Sequence, residues 1–264
     1  MKPSFAIESV QLRVSHLARS RDYYNRQLGF VAVAESAGEL RLATAVDAPP
    51  LLILRESPGA PAASRRAAGL FHAALLLPDR AALGAWLASA AARGVEFDGF
   101  SDHGVSEAIY LSDPDGIGLE FYADRPRADW PFAGGELAMS TEPLAVQDLL
   151  AAGSTAAAAP RLTGARWGHL HLRVTHLGRS ETLYRSTLGL EVTQGSYPGA
   201  RFLAADGYHH HLGLNTWGQP GRPASTEATG LDEATIARRD AAGETTIQDP
   251  DGIRLRLRPW AEAA

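Results

Sequence analysis

The segment Ser101–Tyr122, SDHGVSEAIYLSDPDGIGLEFY, concentrates side chains suited to chemistry. Glu120 lies inside the apolar run Ile117–Tyr122. Extended, that run puts Glu120 on one face with Gly118 and Tyr122, and Leu119 and Phe121 on the other. A carboxylate in such a run is costly to bury alone, so it requires a metal ion, a cation or water beside it. His103 and Tyr110 stand just upstream, Tyr110 ten residues before Glu120. Histidine as a residue type exchanges protons near neutrality, and a phenol donates hydrogen bonds.

A second concentration lies further on. His169 and His171 share one face of an extended segment, and His209 and His211 share a face with His210 opposite. Histidines at this density form a rival metal-binding set, with His171, His209 and His211 as its candidates.

The elements that must position these groups are repeated. Val10–Leu17 returns as Leu170–Leu177 in constant register, followed by Tyr24 with Tyr184 and Gly29 with Gly189. Each copy reads as strand, helix and return strand. Ser15 or Thr175 is the expected N-cap, and Gly29 or Gly189 stands where the residue after a helix belongs. The turn Asp113-Pro114-Asp115-Gly116 returns as Asp249-Pro250-Asp251-Gly252, with Pro and Gly supplying the φ values a tight turn demands. In that register the counterpart of Glu120 is Arg256, a cation where a ligand should be, which counts against the rival set.

The second half is shorter between its two signals. The first half carries a strand over Gly69–Leu77 and then a helix with Asp79 as N-cap and Gly94 as stop. The second half passes from Gly230-Leu231 into Asp232–Arg239, read as a short helix with the strand lost. The expectation is two domains, 1–132 and 164–264, each of two modules, with the fourth truncated. A linker, 133–163, carries a short helix around Ala145–Ala152 and the alanine-rich Ala156–Ala159. Loss of material from the last module suggests exposed apolar surface and hence a possible homo-oligomer.

Composition narrows the function classes. The 264 residues are 45% hydrophobic with net charge −5, enough apolar material for real cores and no basic stripe for nucleic acid. No apolar run reaches the roughly 18 residues of a membrane span. The N-terminal stretch lacks the apolar core of a signal peptide, so a cytoplasmic protein is expected. Cysteine is absent, which removes disulfides and thiolate metal sites and leaves His, Asp, Glu and amide oxygens as ligands.

The chain resembles the vicinal oxygen chelate superfamily, which includes glyoxalases, bleomycin-resistance proteins and extradiol dioxygenases. Within it the chain is most similar to the two-domain, catechol 2,3-dioxygenase-like members. The residues that carry this are Gly69–Pro78, Ser101–Pro126 and Gly207–Trp217. The resemblance implies an α+β fold of tandem βαβββ modules, paired into open, incomplete β-barrels with a metal in the cleft. It implies Fe(II), or else Mn(II) or another divalent ion, held by Gln11, His72 and Glu120, with Gln11 where the family has histidine. His103 and Tyr110 become the catalytic residues, and the reaction becomes cleavage of a catechol-type aromatic diol by O₂ in aromatic-compound breakdown. Two alternatives follow from the same resemblance. One is a metal-free binding protein, favoured by Gln11. The other is a glyoxalase-like lyase, which would want a fourth ligand on the wholly apolar Leu51–Leu54.

Overall fold

A computed structural model of the chain describes residues 3–64, 66–154 and 162–260. The stretch Ala156–Ala159 lies outside them.

Four modules follow one another. The first comprises β1 (Phe5–Val14), α1 (Leu17–Arg21, continuing as a wider turn of helix over Asp22–Leu28), β2 (Val31–Ser36), β3 (Glu39–Ala43) and β4 (Leu52–Glu56). The second comprises β5 (Gly69–Leu76), α2 (Arg80–Ala92), β6 (Gly99–Asp102), β7 (Ser106–Ser112) and β8 (Gly118–Asp124). A connector holds β9 (Phe132–Ala133), β10 (Glu136–Leu137), β11 (Glu142–Pro143) and α3 (Val146–Ser154). The third module is β12 (Arg166–Arg173), α4 (Leu177–Leu188), β13 (Glu191–Gln194), β14 (Ala200–Ala204) and β15 (Leu212–Asn215). The fourth is β16 (Gly230–Arg238), β17 (Thr245–Gln248) and β18 (Arg254–Pro259).

The fourth module is truncated, but not where the sequence suggested. Gly230–Arg238 is a nine-residue strand rather than a helix. It pairs with β1 on one side and β18 on the other, and that pairing overrides the helical preference of its alanine and charged residues. What is missing is the helix and one strand. Nor is β18 wholly apolar: Arg254, Arg256 and Arg258 alternate with buried Leu255 and Leu257.

The modules pair across the chain. A seven-stranded sheet, β17-β18-β16-β1-β4-β3-β2, joins the first module to the fourth. A nine-stranded sheet, β11-β6-β7-β8-β5-β12-β15-β14-β13, joins the second to the third and curls into a half-barrel. Neither sheet is confined to 1–132 or to 164–264.

The repeated DPDG turns fasten modules to one another. Asp115 accepts hydrogen bonds from Ser15 N and Oγ at 2.9 and 2.6 Å, and Asp251 accepts from Thr175 N and Oγ1 at 2.9 and 2.5 Å. Tyr24 and Tyr184 donate to Asp113 and Asp249 at 3.1 and 2.8 Å. Ser15 and Thr175 are therefore spent on the turns, and the N-caps are the next residues, His16 and His176. Asp79 caps α2 as expected, accepting from Ala82 N at 2.8 Å. Gly29 and Gly189 end their helices in the left-handed conformation, φ 99° and 66°.

Strand β8 shows why Glu120 faces inward. Phe121 stacks on Trp86 of α2 at 3.8 Å between ring centres, and Trp86 donates to Leu28 O at 3.0 Å. With the Leu119 and Phe121 face buried against α2, alternation turns Glu120 into the concave side of the sheet.

Candidate metal centre

Three neighbouring strands bring His72, Glu120 and His169 together. His72 is on β5, Glu120 on the parallel β8, and His169 on β12, antiparallel to β5. One ligand atom from each falls within 4.8 Å of the others, and all three side chains are buried. Glu120 Oε2 lies 3.0 Å from His72 Nε2 and 3.2 Å from His169 Nε2.

Backbone bulges aim the two histidines. Between β12 and β5 the register shifts at Phe71, just before His72, and again at Gly168, just before His169. A bulge inserts one residue and re-aims its neighbours, here turning both Phe71 and His72 toward the same cavity. The two positions are equivalent: each histidine stands seven residues before the N-cap of its module's helix, Asp79 or His176. Gly118 allows the approach, since a Cβ there would meet Phe71 O at 2.2 Å and His72 Cβ at 3.3 Å.

The cluster fits a divalent cation. His72 Nε2 is buried without a hydrogen-bond partner despite its 3.0 Å approach to Glu120. Burial holds the His169 ring down at about 4, so at neutral pH it offers a lone pair. For Glu120, burial works against ionisation, but the His169 and His72 rings outweigh it and hold the carboxyl well below its ordinary range. Two imidazoles and one carboxylate converging on one point form a donor set for a first-row divalent metal. Among the described residues no other such group of three occurs.

The cluster opens onto a cavity of about 360 Å³, whose lining includes Phe71, Tyr197, Phe202 and Trp217 with Ser101 and Thr141. That size and apolar character suit a small flat molecule. His103 and Tyr110 also line it. His103 Nδ1 donates to Ser140 O at 2.6 Å, which leaves Nε2 to accept from the Tyr110 hydroxyl, also at 2.6 Å. Burial and the Glu120 carboxylate push the Tyr110 phenol well above its ordinary range, so it keeps its proton.

Gln11 is not at this centre. It lies on β1 in the other sheet, and its side-chain amide donates to Asp232. It is also two residues out of register: the residue seven before the His16 cap is Ser9. The member of the cluster that sequence reasoning missed is His169, supplied by the third module. The signal that would have found it is the common spacing of His72 and His169 from their helix caps.

The rival set disperses. His171 lies opposite His72 and packs on Trp217, with its Nε2 buried and unpartnered, but stands outside the three-ligand group. His209 faces Asp124 at 2.9 Å. His211 accepts from Ala205 N at 3.2 Å and packs against Phe5. His210, which the sequence left unassigned, lines the cavity.

The seven-stranded sheet holds the counterpart of this centre with different chemistry. Glu233 on β16 occupies the place of His72, and Arg256 on β18 that of Glu120. They form an ion pair at 2.8 Å. A bulge brings Asp232 beside them, where Gln11, Arg13 and Arg254 gather on it. A cation is thus built into the chain on that side.

Comparison with known proteins gives two kinds of likeness. Residues 6–121 match the Glyoxalase/Bleomycin resistance protein/Dioxygenase superfamily. The chain is 40% identical over 231 residues to catechol-2,3-dioxygenase of Bacillus subtilis (strain 168), covering 86% of this chain and 80% of that protein. Among solved structures, one from Bacillus subtilis subsp. subtilis str. 168 superposes with TM-score 0.64 at 13% identity, covering 98% of this chain and 86% of that one. Glyoxalase I from Zea mays superposes at 0.57 with 16% identity, covering 97% and 92%. The structural likenesses speak to the fold.

Proposed function

The chain belongs to the glyoxalase/bleomycin resistance/dioxygenase superfamily, and we propose that it is a metal-dependent extradiol dioxygenase acting on a catechol-type aromatic diol with O₂. The observation that carries this reading is the buried His72–His169–Glu120 cluster at a cavity with aromatic walls. When bound there, Fe(II) or another divalent ion would lower the pKa of a coordinated hydroxyl and hold diol and O₂ together.

An open coordination side supports the dioxygenase reading over a lyase. The strand position equivalent to Glu120 in the third module is Gly213, paired in parallel with His171 as Glu120 is with Ala74. A Cβ at that position would meet the His171 ring at 2.9 Å. No fourth side-chain ligand comes from there, and the space is left for substrate. The fourth ligand expected of a glyoxalase-like site is therefore wanting. A metal-free binding protein would have no use for three convergent buried ligands, one of them an unpartnered nitrogen.

The chain's own residues then have distinct tasks. Phe71, Phe202 and Trp217 sandwich the ring and exclude water. Tyr110, kept protonated, and His103, fixed by Ser140, form a hydrogen-bonded pair that passes a proton between the substrate oxygens and the pocket.

The test is oxygen uptake with a panel of catechols after anaerobic loading with Fe(II), together with measured metal content. Uptake that disappears in Glu120→Ala and His169→Ala supports the reading. Absence of both uptake and stoichiometric metal in the unaltered protein would overturn it.

A further inference from the structure

The metal cavity borders a second and larger one. Phe71, His72, Tyr110 and Trp217 line both, and the larger space measures about 1250 Å³. At this shared border the Phe71 and Trp217 rings meet edge to face, with 5.6 Å between their centres. The far wall comes from two connecting segments, 57–68 between β4 and β5 and 216–229 between β15 and β16. They are tied across the chain: Ala68 N donates to Arg222 O and Thr229 N donates to Pro61 O, each at 2.9 Å. Ala224 sits over Gly69 and Ala63 over Gly230, each 3.9 Å from where a Cβ would lie. Alanine and glycine at these points leave the space open.

Room alone does not call for a ligand, but the Thr229 side chain does. Thr229 lines the larger cavity and is 3% exposed, and its Oγ1 is buried without a hydrogen-bond partner. A buried hydroxyl left unpaired costs free energy that a bound polar group restores. Among the described residues, the arginines and carboxylates on the walls cancel: Arg173 and Arg222 against Asp98 and Asp115. Arg173 donates to Ala67 O at 3.3 Å, Asp98 accepts from Ser112 Oγ at 2.7 Å, and Asp115 accepts from Ser15 Oγ at 2.6 Å. With no surplus of either sign, the cavity complements an uncharged group.

We propose that this cavity is a subsite for a substituent of the substrate. The diol ring lies at the metal cluster, and an extended, uncharged side chain on that ring passes the Phe71–Trp217 edge and ends at the Thr229 hydroxyl. The preferred substrate is then a catechol with a long uncharged substituent rather than catechol itself. The diol ring rests on the dioxygenase reading; the affinity of the cavity for the tail does not.

Two series of alkylcatechols of increasing tail length, one ending in methyl and one in a hydroxyl group, are the probes. Calorimetry on the metal-free protein reads binding, and oxygen uptake on Fe(II)-loaded protein reads turnover. Affinity and kcat/KM are expected to rise with tail length to on the order of a hundredfold over catechol, since each buried methylene adds several-fold. Ala63 is exposed, and the indole of Ala63→Trp would occupy the mouth of the cavity. In that variant the advantage of the longest tails over catechol should shrink on the order of tenfold, as several methylenes lose their burial. Thr229→Val keeps the shape and removes the hydroxyl. There the advantage of a hydroxyl-ended tail over a methyl-ended one should fall on the order of tenfold. Affinity indifferent to tail length overturns the proposal. So do equal losses for catechol and for tailed diols in Ala63→Trp, the mark of a cavity that is only a way in. So does a hydroxyl-ended advantage that Thr229→Val leaves unchanged. If no diol is turned over, yet tails bind and Ala63→Trp weakens them, the dioxygenase reading falls and the subsite stands.

Discussion

At the scale of single residues, the centre depends on which histidine completes it. His169→Ala is expected to lower metal affinity more than a hundredfold, since even partners outside a ligand set cost 10–100-fold. Gln11→Ala is expected to leave metal content unchanged, because that amide serves Asp232 in the other sheet. Metal titration of the two variants checks both. A second consequence concerns acid. Burial lowers His169 to about 4 and His211 to about 3. An unfolded chain takes up those protons near the ordinary histidine value, well before the folded chain does. Stability is therefore complete above about pH 7 and is lost as pH falls toward 4, at about 1.4 kcal/mol for each unit separating a ring's two values. The melting temperature of the metal-free protein between pH 7 and pH 5 should fall accordingly. A flat profile would mean that these rings are not held neutral by burial.

At the scale of elements, the bulged first strand is the unit of design. All four first strands bulge at equivalent points: before Ser9, His72, His169 and Glu233. In the nine-stranded sheet this presents two imidazoles to Glu120, and in the other it presents Glu233 to Arg256. Gly118→Ala tests how tight the frame is. Its new methyl would lie 2.2 Å from Phe71 O, a backbone atom that cannot swing away. The expected cost is about 2–3 kcal/mol in denaturant unfolding, the range of overpacked cores, with weakened metal retention because the bulge carrying His72 must move. The contrast with the sequence is instructive here. The DPDG turns, the helix caps near Asp79 and the glycine stops were legible because each is a local backbone requirement written in a few residue types. The register of the histidines was not. Gln11 matches His171 when repeats are laid over one another, yet the spacing of the cluster is set by the bulge, which the type of Phe71 does not betray and which only the shared distance to the helix caps reveals. Strand β16 was misread for a related reason. Its Asp-Glu-Ala-Thr-Ile-Ala composition favours helix locally, and only its two sheet neighbours make it a strand.

At the scale of the whole molecule, the same repeats explain why the pairing of modules was hidden. Each module ends in equivalent strands, so the sequence specifies a set of similar edges without saying which two meet. The structure joins first to fourth and second to third, so that the residues of the candidate metal cluster come from both halves of the chain. A fragment of residues 1–145 keeps His72 and Glu120 but loses β12 with His169, and it exposes the inner edges of β1 and β5. The complementary fragment 146–264 keeps His169 without its carboxylate. Neither is expected to retain metal or to unfold cooperatively alone, because each leaves a sheet cut between its central strands and an unpaired strand edge is a template for aggregation. Mixed or co-expressed fragments, by contrast, should recover stoichiometric metal together with one unfolding transition. Metal bound tightly by fragment 1–145 alone would mean that the first two modules build a site between themselves, and the cross-paired centre would have to be abandoned.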